Sequence, residues 1–346
     1  MNKKLTIKDI AQLAGVSKGT VDRVLHNRGK VSQKALDSIN AVLEQADYEP
    51  NLIARNLKNN KIYSICVVLP NPESDSYWLP CIKGIEEAIK EFKAFNLSIN
   101  TYYFDPEDTE SFIAINETVL NLAPDAVLLA PLFYKEAHDV VEKYNEQNIL
   151  VNTFNNQLEL GEIKNFVGQD LHKSGRVAAK LMESIASKGQ IAIIHFDEKI
   201  KNAIHMQEKE KGFRNYFIEK ENPDYEITTL KLKRTNYEIK FEDFLKENPN
   251  LTGIFITTSK AHQIAEIIEK NKNNKISIIG YDLLNKNIAY LNNGTIDFLI
   301  NQNPKQQVYL GISSLVDHFI FGKEINNATL LPIDIVNSEN ASYYME

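Results

Sequence analysis

The sequence predicts a small all-α head followed by a larger α/β body. In roughly the first 46 residues apolar side chains recur at helical spacing, whereas from Ile62 onward short strand-like apolar runs alternate with amphipathic helices. Charge divides the chain at the same place: residues 1–61 hold 11 Lys and Arg against 6 Asp and Glu, and the remainder holds 28 against 40. The formal net charge of −7 therefore combines a basic head with an acidic body, which favours nucleic-acid binding by the head alone.

Two short helices joined by a tight turn begin the head. Thr6 is the expected N-cap of the first helix, and Ile10 and Ala14 belong to its apolar stripe. Gly15 permits the backbone conformation that ends this helix, and Ser17 caps the second helix. The outward positions of the second helix are Lys18, Gly19, Asp22 and Arg23. This arrangement is a helix-turn-helix, whose second helix enters the major groove of DNA.

Two further helices are predicted in the head. One runs from Ser32 through Ala46, and a shorter one lies within residues 48–58. Pro50 suits the first turn of the shorter helix. With only about two turns, however, that helix is too short to be stable alone in water and is expected to order only on a partner.

This order of helices resembles the lac repressor family of bacterial transcription regulators. The segment from Val24 to Ser32 keeps that family's spacing between the second and third helices, and the resemblance extends over essentially all 346 residues. It implies a DNA-binding head at 1–49, a hinge helix and linker at 50–61, and a ligand-binding and dimerisation body at 62–346.

The body of that family has two doubly wound parallel-sheet lobes of the type I periplasmic-binding-protein kind. The residues alone show only more strand-like runs than one compact sheet holds, with helices to cover both faces. By resemblance, lobe one comprises about residues 62–167 plus 297–325, and lobe two about 168–296 plus 326–346.

The resemblance implies a homodimer that binds a pseudo-palindromic operator, with repression the expected mode and activation the alternative. Lys18 would read base edges, since the neighbouring Gly19 has no side chain. Asp22 would accept from a cytosine amino group or exclude wrong bases. Leu57 matches the leucine that relatives insert into the minor groove, one turn after Ala54. The predicted DNA-contacting set is Thr6, Ser17, Lys18, Gly19, Thr20, Asp22, Arg23, His26, Lys30, Ser32, Asn51, Ala54 and Leu57.

Residues near strand ends in the body predict a small polyhydroxylated effector, a sugar or sugar derivative. Tyr77 and Trp78 would flank a sugar ring, with helix-start packing the alternative for Trp78. Arg176 offers a planar fork of donors, with a surface ion pair the alternative. Asp282 and Gln302 resemble the Asp and the Gln-x-Pro segment of sugar-binding relatives. The predicted ligand set is Tyr77, Trp78, Asn155, Gln169, Asp170, Arg176, Asp282 and Gln302.

One departure from the family pattern concerns the charge of the effector. Where many relatives have Asn-Asp, this chain has Thr257 to Lys260. Lys260 would favour an acidic or phosphorylated ligand if it faced the pocket, although an exposed lysine at a helix start is the simpler interpretation. A nucleoside or a sugar phosphate is therefore the alternative ligand.

Other classes of protein lack support in the sequence. Cys66 and Cys81 lie in apolar segments and are expected to be reduced core residues. The sequence has no nucleotide-binding or nucleophile-elbow motif, and its seven histidines lack metal-ligand spacing, so neither cofactor nor metal is expected. An α/β enzyme is the other-class alternative, but His195 and His205 are interpreted as strand-end and loop residues. Without a signal peptide or membrane span, a cytoplasmic protein with no membrane partner is expected.

Overall fold

The computed structural model describes residues 6–25, 30–45, 61–158, 165–196, 204–271 and 276–345. The chain divides into two compact units, 1–60 and 61–346. His26, Asn51, Ala54 and Leu57 lie outside the described residues, as does the predicted hinge helix. None of the helices in the described ranges is long and apolar enough to span a membrane.

The head contains the helices α1 (Ile7–Leu13), α2 (Lys18–Leu25) and α3 (Gln33–Gln45). A capping box begins α1, because the Asp9 amide donates to Thr6 Oγ1 and the Thr6 amide donates to Asp9 Oδ2 at 2.8 Å. Gly15 has a φ of 64°, which ends the helix as predicted. Buried Ile10, Val21 and Ile39 join the three helices in one core. The predicted helix-turn-helix is confirmed.

The body, within its described residues, has twelve strands: β1 (Tyr63–Pro70), β2 (Leu97–Phe104), β3 (Ala126–Leu129), β4 (Leu150–Phe154), β5 (Asn165–Gly168), β6 (Gly189–Phe196), β7 (Tyr225–Leu232), β8 (Leu251–Ile256), β9 (Ser277–Tyr281), β10 (Phe298–Asn301), β11 (Ala328–Leu330) and β12 (Asp334–Val336). One sheet has the order β11-β5-β4-β3-β1-β2, and the other has the order β12-β10-β9-β8-β6-β7. All neighbouring strands are parallel except β10 and β12.

Helices cover both faces of each sheet. They are α4 (Leu79–Glu91), α5 (Thr109–Asn121), α6 (Tyr134–Glu146), α7 (Leu171–Ile185), α8 (Ile204–Glu219), α9 (Tyr237–Glu247), α10 (Ala261–Asn271), α11 (Asn285–Asn292) and α12 (Pro304–Phe321). Successive residues of a central strand enter different cores: Val67 of β1 packs in one cluster and Val68 in another. This two-sided burial explains the continuous apolar strands that predicted parallel sheets.

The chain crosses between the two sheets three times, after β5, after β10 and after β11. Two of the predicted lobe boundaries are therefore wrong. β10 pairs with β9, so residues 298–301 belong to lobe two rather than to lobe one. β11 pairs with β5, so residues 328–330 belong to lobe one rather than to lobe two. Backbone pairing with other strands decides the membership of both short strands, and their own residues carry no signal of it.

Candidate functional site

A cavity of about 220 Å³ lies between the two lobes of the body, beyond the carboxyl ends of their strands. We call it the cleft. Its lining includes Asp75, Tyr77, Trp78, Glu107, Asn155 and Asn156 of lobe one. Across the cleft are His205, Lys209, Arg234, Lys260, Gln263, Asp282 and Gln302. Five of the eight predicted ligand residues are thus brought together: Tyr77, Trp78, Asn155, Asp282 and Gln302.

Aromatic rings form the lobe-one wall of the cleft. Tyr77 and Trp78 lie in a 3-10 helix (Ser76–Trp78) that begins at Asp75, whose carboxylate accepts from the Tyr77 amide at 3.2 Å. Asn155 Nδ2 donates to the Tyr77 hydroxyl. Burial raises the pKa of Tyr77, so its hydroxyl stays protonated and keeps a proton to donate. Trp78 packs edge-to-face on Phe154 with ring centroids 6.0 Å apart, so it serves both the core and the cleft.

Asp282 provides the main buried acceptor on the opposite side. It directly follows β9 with a φ of 67°, a conformation that costs a residue with a side chain of order 1 kcal/mol or more. Its carboxylate accepts from Gln302 Nε2 at 2.9 Å and from the Gln302 amide at 3.3 Å. The strained turn and the paired glutamine together hold the carboxylate at the cleft.

Lys209 is only 1% exposed, and its charge interacts with that of Asp282. Its ammonium donates to the Thr257 carbonyl at 3.1 Å and lies 3.7 Å from the centroid of the Tyr281 ring. Burial lowers the pKa of Lys209, and the charge of Asp282 opposes that shift. Burial raises the pKa of Asp282, and the charge of Lys209 opposes that shift in turn. The two groups therefore stabilise each other's charged forms in a buried site.

Two ion pairs join the lobes across the cleft. Lys260 Nζ lies 3.4 Å from Asp75 Oδ1, and Arg234 Nη1 lies 2.8 Å from Glu107 Oε1. Lys209 interacts with Asp282 electrostatically rather than through a direct ion pair, so the charge of each of these three cations is balanced by a carboxylate. The cleft is therefore close to neutral in charge, and Lys260 is paired across it rather than free to attract an anion.

Two further side chains of the cleft lining have a buried polar atom without a hydrogen-bond partner in the described part of the chain. Among the described residues, His205 Nδ1 and Gln263 Oε1 are buried in the lining and accept or donate no hydrogen bond. Burial, with smaller effects of Lys209 and His195, lowers the pKa of His205 to about 3, so its ring is neutral. The interpretation of His205 as a loop residue is wrong, because it lies in the first turn of α8. Both atoms can hydrogen-bond a ligand.

Three predicted ligand residues lie elsewhere. The Arg176 guanidinium donates to Glu219 Oε2 at 2.7 Å, so the surface ion pair is its role. Asp170 caps α7 by accepting from the Lys173 amide at 2.9 Å. Gln169 Nε2 donates to the carbonyls of Asn301 and Pro332, at 2.9 and 2.6 Å, and so joins the three crossings. Sequence resemblance placed these residues near the cleft, but their side chains point to other partners.

Lys209 is the main residue that the sequence analysis missed. The sequence did contain a signal that Lys209 is buried. It lies three residues after Met206 and four before Phe213, on the buried stripe of α8. A lysine at an apolar position is a departure that needs a partner. Its partner Asp282 is distant in sequence, so the pair becomes visible only in the fold.

The head presents the other predicted set. Ser17, Lys18 and Gly19 are exposed at or near the start of α2, Arg23 is exposed in its last turn, and Thr20 and Asp22 are half-buried. The Thr20 amide donates to Ser17 Oγ at 3.1 Å, so Ser17 caps α2 as predicted. Thr6, Lys30 and Ser32 are exposed as well.

Comparison with known proteins assigns the family. A profile of bacterial regulatory proteins of the lacI family matches residues 6–51, and a profile of the periplasmic binding protein domain matches residues 65–324. The crystal structure of a candidate LacI transcriptional regulator from Bacteroides fragilis is 32% identical and covers 82% of this chain and 100% of its own, with a TM-score of 0.77. The chain belongs to the LacI family. The predicted family and fold class are therefore confirmed.

Two relatives of this LacI-family protein have names that state their roles. The ribose operon repressor of Lactococcus lactis is 27% identical over 294 residues, 80% of each chain. The sucrose operon repressor of Streptococcus mutans is 26% identical over 289 residues, 82% of this chain and 83% of the relative. The protein is accordingly a DNA-binding transcription regulator and not an enzyme, as predicted.

Proposed function

We propose that this LacI-family protein is a repressor whose operator binding is controlled by a neutral monosaccharide held in the cleft. The charge balance of the cleft carries the ligand class: Arg234 and Lys260 form ion pairs with carboxylates, and the charge of Asp282 balances that of Lys209. A carboxylate or phosphate on the ligand would compete with Asp75, Glu107 or Asp282 for those cations. Hydroxyl groups can hydrogen-bond to the same ion pairs without disturbing their charge.

The size of the cleft favours a single sugar ring. Its volume of about 220 Å³ lies below the range of about 300–1,000 Å³ typical of pockets for drug-sized molecules. The rings of Tyr77 and Trp78 suit the C–H face of a sugar. Asp282 and the unpartnered atoms of His205 and Gln263 suit its hydroxyls.

We also propose that the protein binds a pseudo-palindromic operator as a dimer. A two-fold protein imposes two-fold symmetry on its DNA site, and α2 would enter the major groove of each half-site. Lys18 is exposed and free to reach guanine acceptors, while Gly19 has no side chain to contribute. The names of the relatives support repression rather than activation.

A thermal-shift screen of the full chain tests the ligand class. A ligand that binds only the folded state raises the melting temperature. We expect D-ribose or D-glucose to raise the melting temperature of the body, and D-glucuronate, D-ribose 5-phosphate and sucrose to leave it unchanged. A larger shift with either anionic sugar would contradict the neutral-ligand proposal.

Two variants locate the bound sugar. Asp282→Asn should abolish the shift, because it removes the buried carboxylate while keeping its shape. Arg176→Ala should bind sugar like the parent, since its guanidinium pairs with Glu219 and does not line the cleft. Loss of binding in Arg176→Ala, with Asp282→Asn unaffected, would place the sugar elsewhere.

A further inference from the structure

The buried side chain of Asn287 touches two of the lobe-two loops that face the cleft, 257–260 and 281–283. It lies in the first turn of α11 and is fully buried. Its Nδ2 donates to the carbonyls of Ser259, Tyr281 and Asp282 at 2.9, 3.0 and 2.9 Å. An amide has two such hydrogens, so at least one of them is shared between two carbonyls.

His262 fixes the orientation of the Asn287 amide. Asn287 Oδ1 accepts from the His262 amide at 2.8 Å and lies 2.9 Å from His262 Nδ1. Since an amide oxygen can only accept, Nδ1 is the ring nitrogen that carries the proton. Burial lowers the pKa of His262, so the ring stays neutral. Nδ2 therefore faces the three carbonyls, and no flipped amide would satisfy both sets of partners.

We infer that Asn287 is a positioning residue that holds the ligand-binding carboxylate and one cross-cleft ion pair in place together. Asp282 needs such an anchor because its backbone is left-handed, and Asn287 binds its carbonyl directly. The same amide binds Ser259, whose neighbour Lys260 pairs with Asp75 of lobe one. This inference rests on the proposed sugar-binding role of the cleft.

A substitution of one functional group tests this inference. Asn287→Asp keeps the size of the side chain but sets a carboxylate oxygen against three carbonyl oxygens. Asn285→Asp is the matched control, because it makes the same chemical change at an exposed residue of the same helix turn. Asn287→Ser keeps one hydroxyl donor without adding charge, and serves if Asn287→Asp does not fold.

Hydrogen–deuterium exchange of the ligand-free full chain is measured first, so that the result is independent of any sugar. We expect Asn287→Asp to raise exchange about tenfold or more in both loops, 257–260 and 281–283, with a smaller rise for Asn287→Ser and none for Asn285→Asp. The D-ribose affinity should fall about 10-fold to 100-fold for Asn287→Asp, while operator affinity without sugar stays within about twofold of the parent.

Unchanged exchange in either loop would overturn the inference. Raised exchange with undiminished D-ribose affinity would also overturn it, because a merely structural asparagine behaves in that way. If the parent itself does not bind D-ribose, the exchange comparison alone decides, and the failure then belongs to the proposed ligand rather than to Asn287.

Discussion

Replacing Lys209 with methionine is expected to weaken sugar binding near neutral pH about 100-fold. Methionine matches the length and the buried surroundings of Lys209, and protonation of Asp282 limits the cost of leaving its carboxylate without the charge of the lysine. The loss of sugar affinity would come from Asp282. Burial raises the pKa of Asp282, and the charge of Lys209 opposes that rise. Without the lysine, Asp282 should be protonated near neutral pH and lose its strength as an acceptor of sugar hydroxyls.

Calorimetric titration with the sugar over a range of pH checks this prediction. If binding of the sugar needs the Asp282 carboxylate, the affinity for the sugar is constant above the pKa of Asp282. Below that pKa the affinity falls by up to about tenfold per pH unit. In Lys209→Met the fall should begin at a higher pH than in the parent. Lys211→Met is the matched control, an exposed lysine two residues further along α8. Parent-like affinity and an unshifted pH profile in Lys209→Met would contradict the role given to this pair.

The Gly212→Ala substitution is expected to lower the free energy of unfolding of the body by about 2 kcal/mol or more. A methyl group at Gly212 would lie 1.9 Å from the carbonyl oxygen of His172 in α7, and one at Gly175 of α7 would lie 2.0 Å from the Lys209 carbonyl oxygen. The two glycines let α7 and α8 approach closely, and that contact sets the position of Lys209. The gain in helix propensity, about 1 kcal/mol, is too small to offset the clash.

Chemical denaturation of the full chain measures the free energy of unfolding of the body in the parent and in Gly212→Ala. Titration with the sugar then measures the affinity of the folded variant. Lys211→Ala serves as the control, because it also introduces alanine into α8 but at an exposed position. We expect the control to differ from the parent by less than about 0.5 kcal/mol. A Gly212→Ala protein with parental stability and sugar affinity would show that the helices can separate without cost.

The local signals of the sequence predicted the head well. Caps and turns depend on neighbours only a few residues away in the chain. The structure confirms the predicted roles of Thr6 as N-cap, Gly15 as helix end and Ser17 as N-cap. The continuous apolar strands likewise predicted parallel sheets covered on both faces. These features depend on periodicity and capping, which one sequence contains in full.

Features that depend on distant pairing could not be predicted in this way. The lobe of β11 follows from its pairing with β5, in which Ala328 lies beside Phe166. The lobe of β10 follows from its pairing with β9, the strand before it, and the residues of β10 do not reveal that pairing. The family resemblance and the donor fork of Arg176 predict a ligand contact, but the guanidinium of Arg176 donates instead to Glu219, 43 residues later. The role of Lys209 could not be predicted either, because it depends on the charge of Asp282, which belongs to another part of the chain.

The central claim is that one sugar in the cleft changes the affinity of the head for DNA. Its most direct test is fluorescence anisotropy of an operator duplex, selected from random DNA with the full chain, with and without the sugar that binds the cleft. We predict a change in operator affinity of about 5-fold to 150-fold in the parent, and none in Lys209→Met at the same sugar concentration. An operator affinity that stays constant while the sugar saturates the cleft would contradict the account.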